Sequence, residues 1–408
     1  MKNRTTHTSI TKKNLSRRVK NIISSPIKEM MLLASRIKEP LMLAHGIPAE
    51  DTPEHIKKAI KEAIDGPMAS KYSILSGTKE CRQAVAKRYK RMYGVDFDPD
   101  TEIGITAGGM EACMISCMAL IDPGDEVIMV SPPFSSHVEE VLACDGKPIY
   151  VNTDEKKGWA LDLDAVKKAI TEKTKAIIVT NPSNPTGAVY TEAQIYGLAE
   201  IALKHSLFII ADETYDFLVY DYAPFFSFCQ IPEIRKNLIL IGSSSKQYRM
   251  TGYRLGWVIA EKGIMEQLMK LHDATTACAC VASQYGFVAA INGPQECVEE
   301  LIQNMQERRD LVCKRLDRVP YLFKYYKKPQ GAYYILPKIV FPHKNSLQAC
   351  LEIQKATGVV SVPGIAFGPA GEHHIRMSFG GGAGKGPVGK DLINQAFDKL
   401  EIWGKKYL

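Results

Sequence analysis

Short apolar runs recur through the middle of the chain: DEVIMV (125–130), AIIVTN (176–181), LFIIAD (207–212), LILIG (238–242) and LGWVIA (255–260). Each is predicted to be a buried strand. Stretches of helical pattern, such as EAQIYGLAEIALKHS (192–206), lie between several of them. A further strand-like piece, EIGITAGG, ends at Gly108-Gly109 and runs into the helix-like MEACMISCMALI. This alternation predicts an α/β fold with a mostly parallel sheet flanked by helices, in which ligands gather at the carboxyl ends of the strands. Beyond about residue 295 the pattern changes to a long helical stretch, the shorter strands GAYYILPKI and HHIRMSF, and a closing helix near 390–403. The expected division is a basic tail (1–30), an N-terminal segment packing with the small domain (31–60), a large domain (61–295) and a smaller α+β domain (296–408).

A chain of 408 residues has room for this arrangement. No apolar run is long enough to cross a bilayer, and none has the flanks of a secretory signal. The ten cysteines contain no CxxC spacing and are expected to be reduced, mostly buried thiols without a metal. The net charge of +7 comes from residues 1–20, which hold seven Lys/Arg and no acid. The near-neutral remainder gives no electrostatic reason to expect nucleic-acid binding. The leader reads as a basic tail on a cytoplasmic protein, with a mitochondrial transit peptide as the alternative. The run GGGAGKGPVGK (380–390) fails the phosphate-loop spacing, since Lys385 precedes Gly386, and is expected to be a flexible surface turn.

Polar residues collect where the strands stop. AIIVTN runs into PSNPTG, which places Asn184 at the mouth of a turn. LFIIAD closes on Asp212, followed by Glu213, Thr214 and Tyr215, and LILIG runs into three serines and Lys246. Taken singly, a plain turn accounts for NPTG, and an N-cap or structural ion pair for Asp212. An aspartate ending so apolar a strand is nevertheless expected to be partly buried and to need a partner. Gly108 and Gly109, ahead of a helix, open backbone N–H groups to an anion that the helix dipole favours, although paired glycines often mark only a turn. Together the strand ends offer a lysine, an aspartate, an asparagine, a tyrosine, glycine N–H groups, serine hydroxyls and Arg254. An aldehyde cofactor with a ring nitrogen, a phenolic oxygen and a phosphate uses all of these.

Ten motifs follow one another in the chain: GIPAEDTPEHI, YSILSGTKECRQAVA, TAGGMEA, SPPF, NPTG, DETY, SSSK…GYRLGW, QGAYY, VPGIAFG and IRMSF. In this order the sequence resembles the class I/II aminotransferases, pyridoxal-phosphate enzymes of fold type I, from about residue 40 to 400. The resemblance implies that Lys246 forms the Schiff base, that Asp212 pairs with the pyridinium nitrogen, and that Asn184 and Tyr215 hydrogen-bond the ring hydroxyl oxygen. It implies phosphate contacts at Gly108, Gly109, Met110, Ser243, Ser245 and Arg254, and a ring stacked on Phe134. Tyr72 matches a tyrosine that reaches the neighbouring subunit's phosphate, which implies a homodimer with shared sites. Arg376, with Gly46 beside it, matches the clamp on the substrate α-carboxylate. Departures from the family pattern fall at Phe134, Ile47, Ala49, Met110 and the glycine-rich tail, and they bear on substrate rather than cofactor.

The expected reaction is ping-pong transfer of an amino group from an L-amino acid to a 2-oxo acid, with Lys246 as imine-forming amine and proton carrier. Asp212 keeps the ring an electron sink, and Arg376 binds the carboxylate as a planar fork. Burial and the nearby Arg254 are expected to free the lysine amine. Met110, Phe134 and Tyr72 suit an aromatic or medium apolar side chain; an aspartate-type enzyme would need a second cation. A β-lyase and a non-catalytic cofactor-binding regulatory module are the alternatives, while a dehydrogenase lacks its GxGxxG. His137, three residues after Phe134, is close enough to line a substrate pocket, but the favoured expectation is a polar residue starting a helix. His45 is a candidate substrate contact, and His373-His374 a poor metal pair, because strand neighbours face opposite ways.

Overall fold

The computed structural model describes residues 15–22, 26–382 and 386–408. Its centre is a seven-stranded sheet built from β1 (Ile103–Thr106), β2 (Glu126–Ser131), β3 (Lys147–Asn152), β4 (Thr174–Thr180), β5 (Phe208–Asp212), β6 (Leu238–Ser243) and β7 (Gly256–Ala260). The spatial order is β1-β7-β6-β5-β4-β2-β3. Pairs among β2 to β6 are parallel, whereas β7 runs antiparallel to both β1 and β6. Strands β1, β5, β6 and β7 are buried on nearly every residue, so the apolar runs carry no alternation from which strand direction could be read. Edge strand β3 has the opposite character. Most of its KPIYVN side chains are half-buried or exposed, and it therefore lacks the apolar run that marks the others.

Register brings the functional segments to one edge of this sheet. Thr180 is paired with Asp212, Ser243 with Gly256, and Thr106 also with Gly256. The ends of β1, β4, β5 and β6 and the start of β7 thus lie side by side. Helix α1 (Lys79–Tyr93) packs beside β1. Helices α2 (Gly109–Leu120) and α3 (Ser135–Ala143) begin just past the ends of β1 and β2, so both N-termini face this edge.

After the 21-residue helix α4 (Glu296–Leu316), the chain makes short strands only. Tyr334–Ile335, Ile375–Ser378 and Val362–Pro363 form a three-stranded sheet. Leu41–Met42 pairs in parallel with Val359–Val360, so the N-terminal segment returns to this part of the molecule. Closing helix Gly389–Gly404 matches the expected one. The glycine run differs from expectation at its start. Gly380–Gly382 is buried, with Gly381 bridged to Pro48 and the Gly380 carbonyl accepting from Arg308. Close packing of two backbones and a guanidinium leaves no room for side chains there. Lys385 lies outside the described residues, as does the leader up to residue 14. Arg17–Asn21 forms a short helix whose Arg17 and Arg18 meet Asp145. No helix among the described residues is long and apolar enough to cross a membrane.

Candidate active site

The strand ends enclose a cavity of about 540 Å³. It is lined by His45, Gly46, Gly109, Met110, Phe134, Asn184, Asp212, Tyr215, Ser243, Ser245, Lys246, Arg254 and Arg376, all candidates from sequence, and additionally by Ile47, His137, Thr214 and Tyr334. Tyr72 stands apart from it and is 85% exposed.

Lys246 lies in the four-residue helix Ser244–Gln247 that follows β6. Its Nζ donates to the Gly46 carbonyl at 2.6 Å. Tyr333 donates its hydroxyl to the same carbonyl at 2.9 Å. Burial, then the positive charges of Arg376 and Arg254, pull the Lys246 ammonium down to about 8, with Asp212 opposing. A fraction of the amine is therefore unprotonated near neutral pH. The sequence pointed to Arg254 alone as the neighbouring cation, but Arg376 has the larger effect.

Asp212 is buried at the end of β5. Its Oδ1 accepts from the Thr214 N–H at 3.1 Å, and its Oδ2 meets His137 Nε2 at 3.1 Å. Burial alone would raise this carboxyl; the hydrogen bonds from His137 and Thr214 hold it below the usual carboxylate value. His137 is thus more than a polar residue opening a helix. It is the third residue of α3, buried, with its other ring nitrogen 2.9 Å from Glu140 Oε2. Burial works against its charge, but the two carboxylates push it up to about 10. The available sequence signal was the i, i+3 spacing of His137 and Glu140, which puts both on one helix face. Asp212, 75 positions away, left no local trace.

On the opposite side of the cavity Arg376 is buried between the rings of Tyr334 and Phe367, at 4.6 and 5.1 Å from their centroids. Its Nη1 donates to Asn184 Oδ1 at 3.1 Å and its Nη2 to the Ala44 carbonyl at 2.6 Å. Nε is buried with no protein partner among the described residues, an unspent donor suited to an oxyanion. The Tyr215 and Tyr334 hydroxyls share a 2.7 Å hydrogen bond. At Gly46 a Cβ would collide with the Tyr334 hydroxyl, which explains the glycine beside the lysine's acceptor.

The remaining corner is cationic and rich in donors. Gly108 caps α2 with φ +88°, and a Cβ there would lie 2.5 Å from Arg254 Nη2. Ser243 donates to the Ser245 hydroxyl at 2.9 Å, and Arg254 is anchored on the Thr251 carbonyl at 2.9 Å. A helix N-terminus, two hydroxyls and a guanidinium converging on a cradle that any side chain at 108 would fill have the chemistry of a phosphate site. Phe134 precedes α3 and packs its ring perpendicular to that of His137, with centroids 5.3 Å apart.

Residues 38–385 match the family described as Aminotransferase class I and II. A probable aspartate aminotransferase of Methanocaldococcus jannaschii is 38% identical over 90% of this chain and 95% of its own. Aromatic-amino-acid aminotransferase 2 of Thermococcus litoralis is 34% identical over 95% of this chain and 97% of its own. Among solved structures, Pyrococcus protein-A1 superposes with a TM-score of 0.90 at 33% identity, covering 96% of this chain and 99% of its own.

Proposed function

The chain belongs to the class I and II aminotransferases, and we propose that its cavity holds pyridoxal 5'-phosphate and carries the transfer of an amino group from an L-amino acid to a 2-oxo acid. The observation that carries this reading is the meeting, in one cavity, of a lysine lowered to about 8, an ionised buried aspartate and an arginine with an unspent donor. When bound, the cofactor supplies an aldehyde that joins to an amine and a ring that takes up electrons from the substrate. The residues present fit it: Gly108, Gly109, Met110, Ser243, Ser245 and Arg254 for the phosphate, Phe134 for a ring face, Asn184 and Tyr215 for the ring oxygen, and Asp212 for the ring nitrogen.

The chain's own groups then divide the work. Lys246 provides the linking amine and, once released, takes a proton at Nζ from the substrate Cα. Its contact with the Gly46 carbonyl keeps Nζ inside the cavity. Asp212 presents a fixed negative charge to the ring nitrogen, because His137 and Thr214 already occupy its other directions. Arg376 offers Nε and an edge of its fork to the α-carboxylate, and Asn184 keeps the guanidinium plane from rotating. Amino-acid and oxo-acid half-reactions share this single cavity, which is the basis of a ping-pong cycle.

Among the described residues, the only Lys or Arg side chains lining the cavity are Lys246, Arg254 and Arg376, all assigned above. Met31, Ala44, Ile47, Met110 and Phe134 supply its apolar lining, beside the polar His45, Ser135, Ser136, Glu139 and Thr251. This supports an aromatic or medium apolar amino acid over a dicarboxylate. Relatives named for aspartate and for aromatic amino acids make the comparison direct: half-reactions with phenylalanine should exceed those with aspartate in kcat/KM, and the reverse order removes the preference. The same reading takes 61–295 as the large domain and 31–60 with 296–408 as the small one. It also keeps the cytoplasmic placement, with a mitochondrial one as the alternative.

The test of the cofactor assignment is borohydride reduction of the loaded protein followed by peptide mass spectrometry. The adduct is expected on Lys246 and should disappear in Lys246→Ala. An adduct on another lysine, retained in that variant, overturns the assignment.

A further inference from the structure

Behind the cavity lies a buried chain of three ionisable side chains, of which the transfer reaction described above uses only the first. Asp212 Oδ2 is 3.1 Å from His137 Nε2, and His137 Nδ1 is 2.9 Å from Glu140 Oε2. The three side chains are 11%, 3% and 6% exposed. We infer that Glu140 is a positioning residue of the active site: by accepting from His137 Nδ1 it commits the opposite ring N–H to Asp212, so that Asp212 remains an ionised acceptor aimed at the cavity. The inference rests on the role proposed above for Asp212 and extends that role to a residue that touches neither cofactor nor substrate.

The reasoning is one of proton counting. A neutral imidazole has one N–H and one lone pair. Set between two buried carboxylates, it must turn its lone pair on one of them, unless that carboxyl is itself protonated. An imidazolium has two N–H groups and satisfies both. Neither carboxylate here has another cation in hydrogen-bonding contact among the described residues. Asp212 Oδ1 already accepts from Thr214, and Glu140 Oε1 is buried without a partner. The ring is therefore held charged from both sides, as its raised proton affinity indicates. The other titratable group against the ring is Cys113 of α2, whose Sγ is 3.2 Å from Nδ1. Burial, and Cys117 beside it, push that thiol well up, so it adds no charge. On the cavity side Asp212 also faces Lys246 and Tyr334. With two carboxylates and one imidazolium, the set carries one net negative charge, which matches one protonated ring nitrogen. Without the Glu140 charge the imidazolium can lose its Nδ1 proton, and the positive charge that holds Asp212 ionised and oriented is no longer fixed.

Glu140→Gln keeps the size and an acceptor oxygen but removes the charge. Histidine-selective ¹⁵N NMR of the full-length protein without cofactor should show both ring nitrogens of His137 protonated across pH 6–9 in the parent. In Glu140→Gln one nitrogen should lose its proton within that range, and Glu140→Asp should restore the parent signature. In the loaded enzyme Glu140→Gln should lower kcat about tenfold, the size of one charge-assisted hydrogen bond, with KM for the amino acid little changed. The same substitution made in a His137→Asn background should lower kcat no further. Three results overturn the inference: a His137 ring that stays doubly protonated in Glu140→Gln, losses that multiply in the double variant, or stoichiometric zinc in the purified protein. The last is included because Cys113, His137 and Glu140 lie within 4.8 Å of one another, and a bound metal would make Nδ1 a ligand rather than a donor. The NMR arm uses no cofactor, so its failure is distinguishable from failure of the Lys246 assignment.

Discussion

At Lys246 burial and two guanidinium charges push in one direction against Asp212, and its position in the fold leaves a fraction of an ordinarily protonated ammonium as amine near neutral pH. The group's value falls from 10.5 to about 8, so in the cofactor-free protein its reactivity toward an amine-directed reagent should rise through a midpoint near pH 8. Removing the largest cationic cause, with Arg376→Leu, should move that midpoint upward while leaving it below 10.5, because burial remains. Labelling rates of the Lys246 peptide measured by mass spectrometry check both statements; an unmoved midpoint removes Arg376 from the account. Unfolding free energy is a poorer probe. A depressed lysine destabilises the fold fully below pH 8, and that penalty fades as pH rises to 10.5. His137, raised from 6.5 to about 10, contributes stability that is complete below 6.5 and lost as pH rises through about 10. The two trends oppose each other over most of the alkaline range.

At the scale of elements, the turn that carries Lys246 is held from behind by α1. Arg88 donates to Gln247 Oε1 at 3.1 and 3.2 Å and pairs with Asp216 at 2.6 Å, both charged side chains being almost fully buried. Tyr93 adds a 2.8 Å hydrogen bond to the second Asp216 oxygen. Asp216→Ala leaves a buried guanidinium without its counter-charge and should lower unfolding stability by about 3–5 kcal/mol. Urea denaturation of the cofactor-free protein measures this. A loss under about 1 kcal/mol would mean that water or another group reaches Arg88. Most of the central strands were legible in the sequence, because a run buried on both faces is apolar throughout. Strand β3 was not, since an edge strand with half-exposed side chains has no such run. The direction of β7 was hidden for the complementary reason: a strand apolar at every position looks the same read either way.

For the molecule as a whole, the cavity is closed by segments from far apart in the chain, and one expected member does not reach it. Tyr72 is 85% exposed, with Met68, Ile74 and Ile64 also exposed on the same stretch of chain. A second copy whose Tyr72 entered the neighbouring cavity would account for this and for the resemblance at that position. Mixing Lys246→Ala and Tyr72→Ala chains under exchange conditions tests it. A heterodimer of these chains contains one intact site, so the mixture should recover activity that neither variant has alone. No recovery, or a single-chain mass in sedimentation, counts against shared sites.

The strands, the turns that end them, and the residue types at those ends were decided locally. Side-chain alternation, apolar runs and turn-forming residues act over a few positions, and a motif such as SSSK or NPTG is complete within its own segment. The state of each group was decided only by tertiary structure. Lys246 finds its acceptor 200 residues away, Arg376 binds Asn184 across 192 and Ala44 across 332, and His137 meets Asp212 across 75. Desolvation and Coulomb forces depend on distance in space, so protonation and pairing exist only once the sheet edge has brought these segments together.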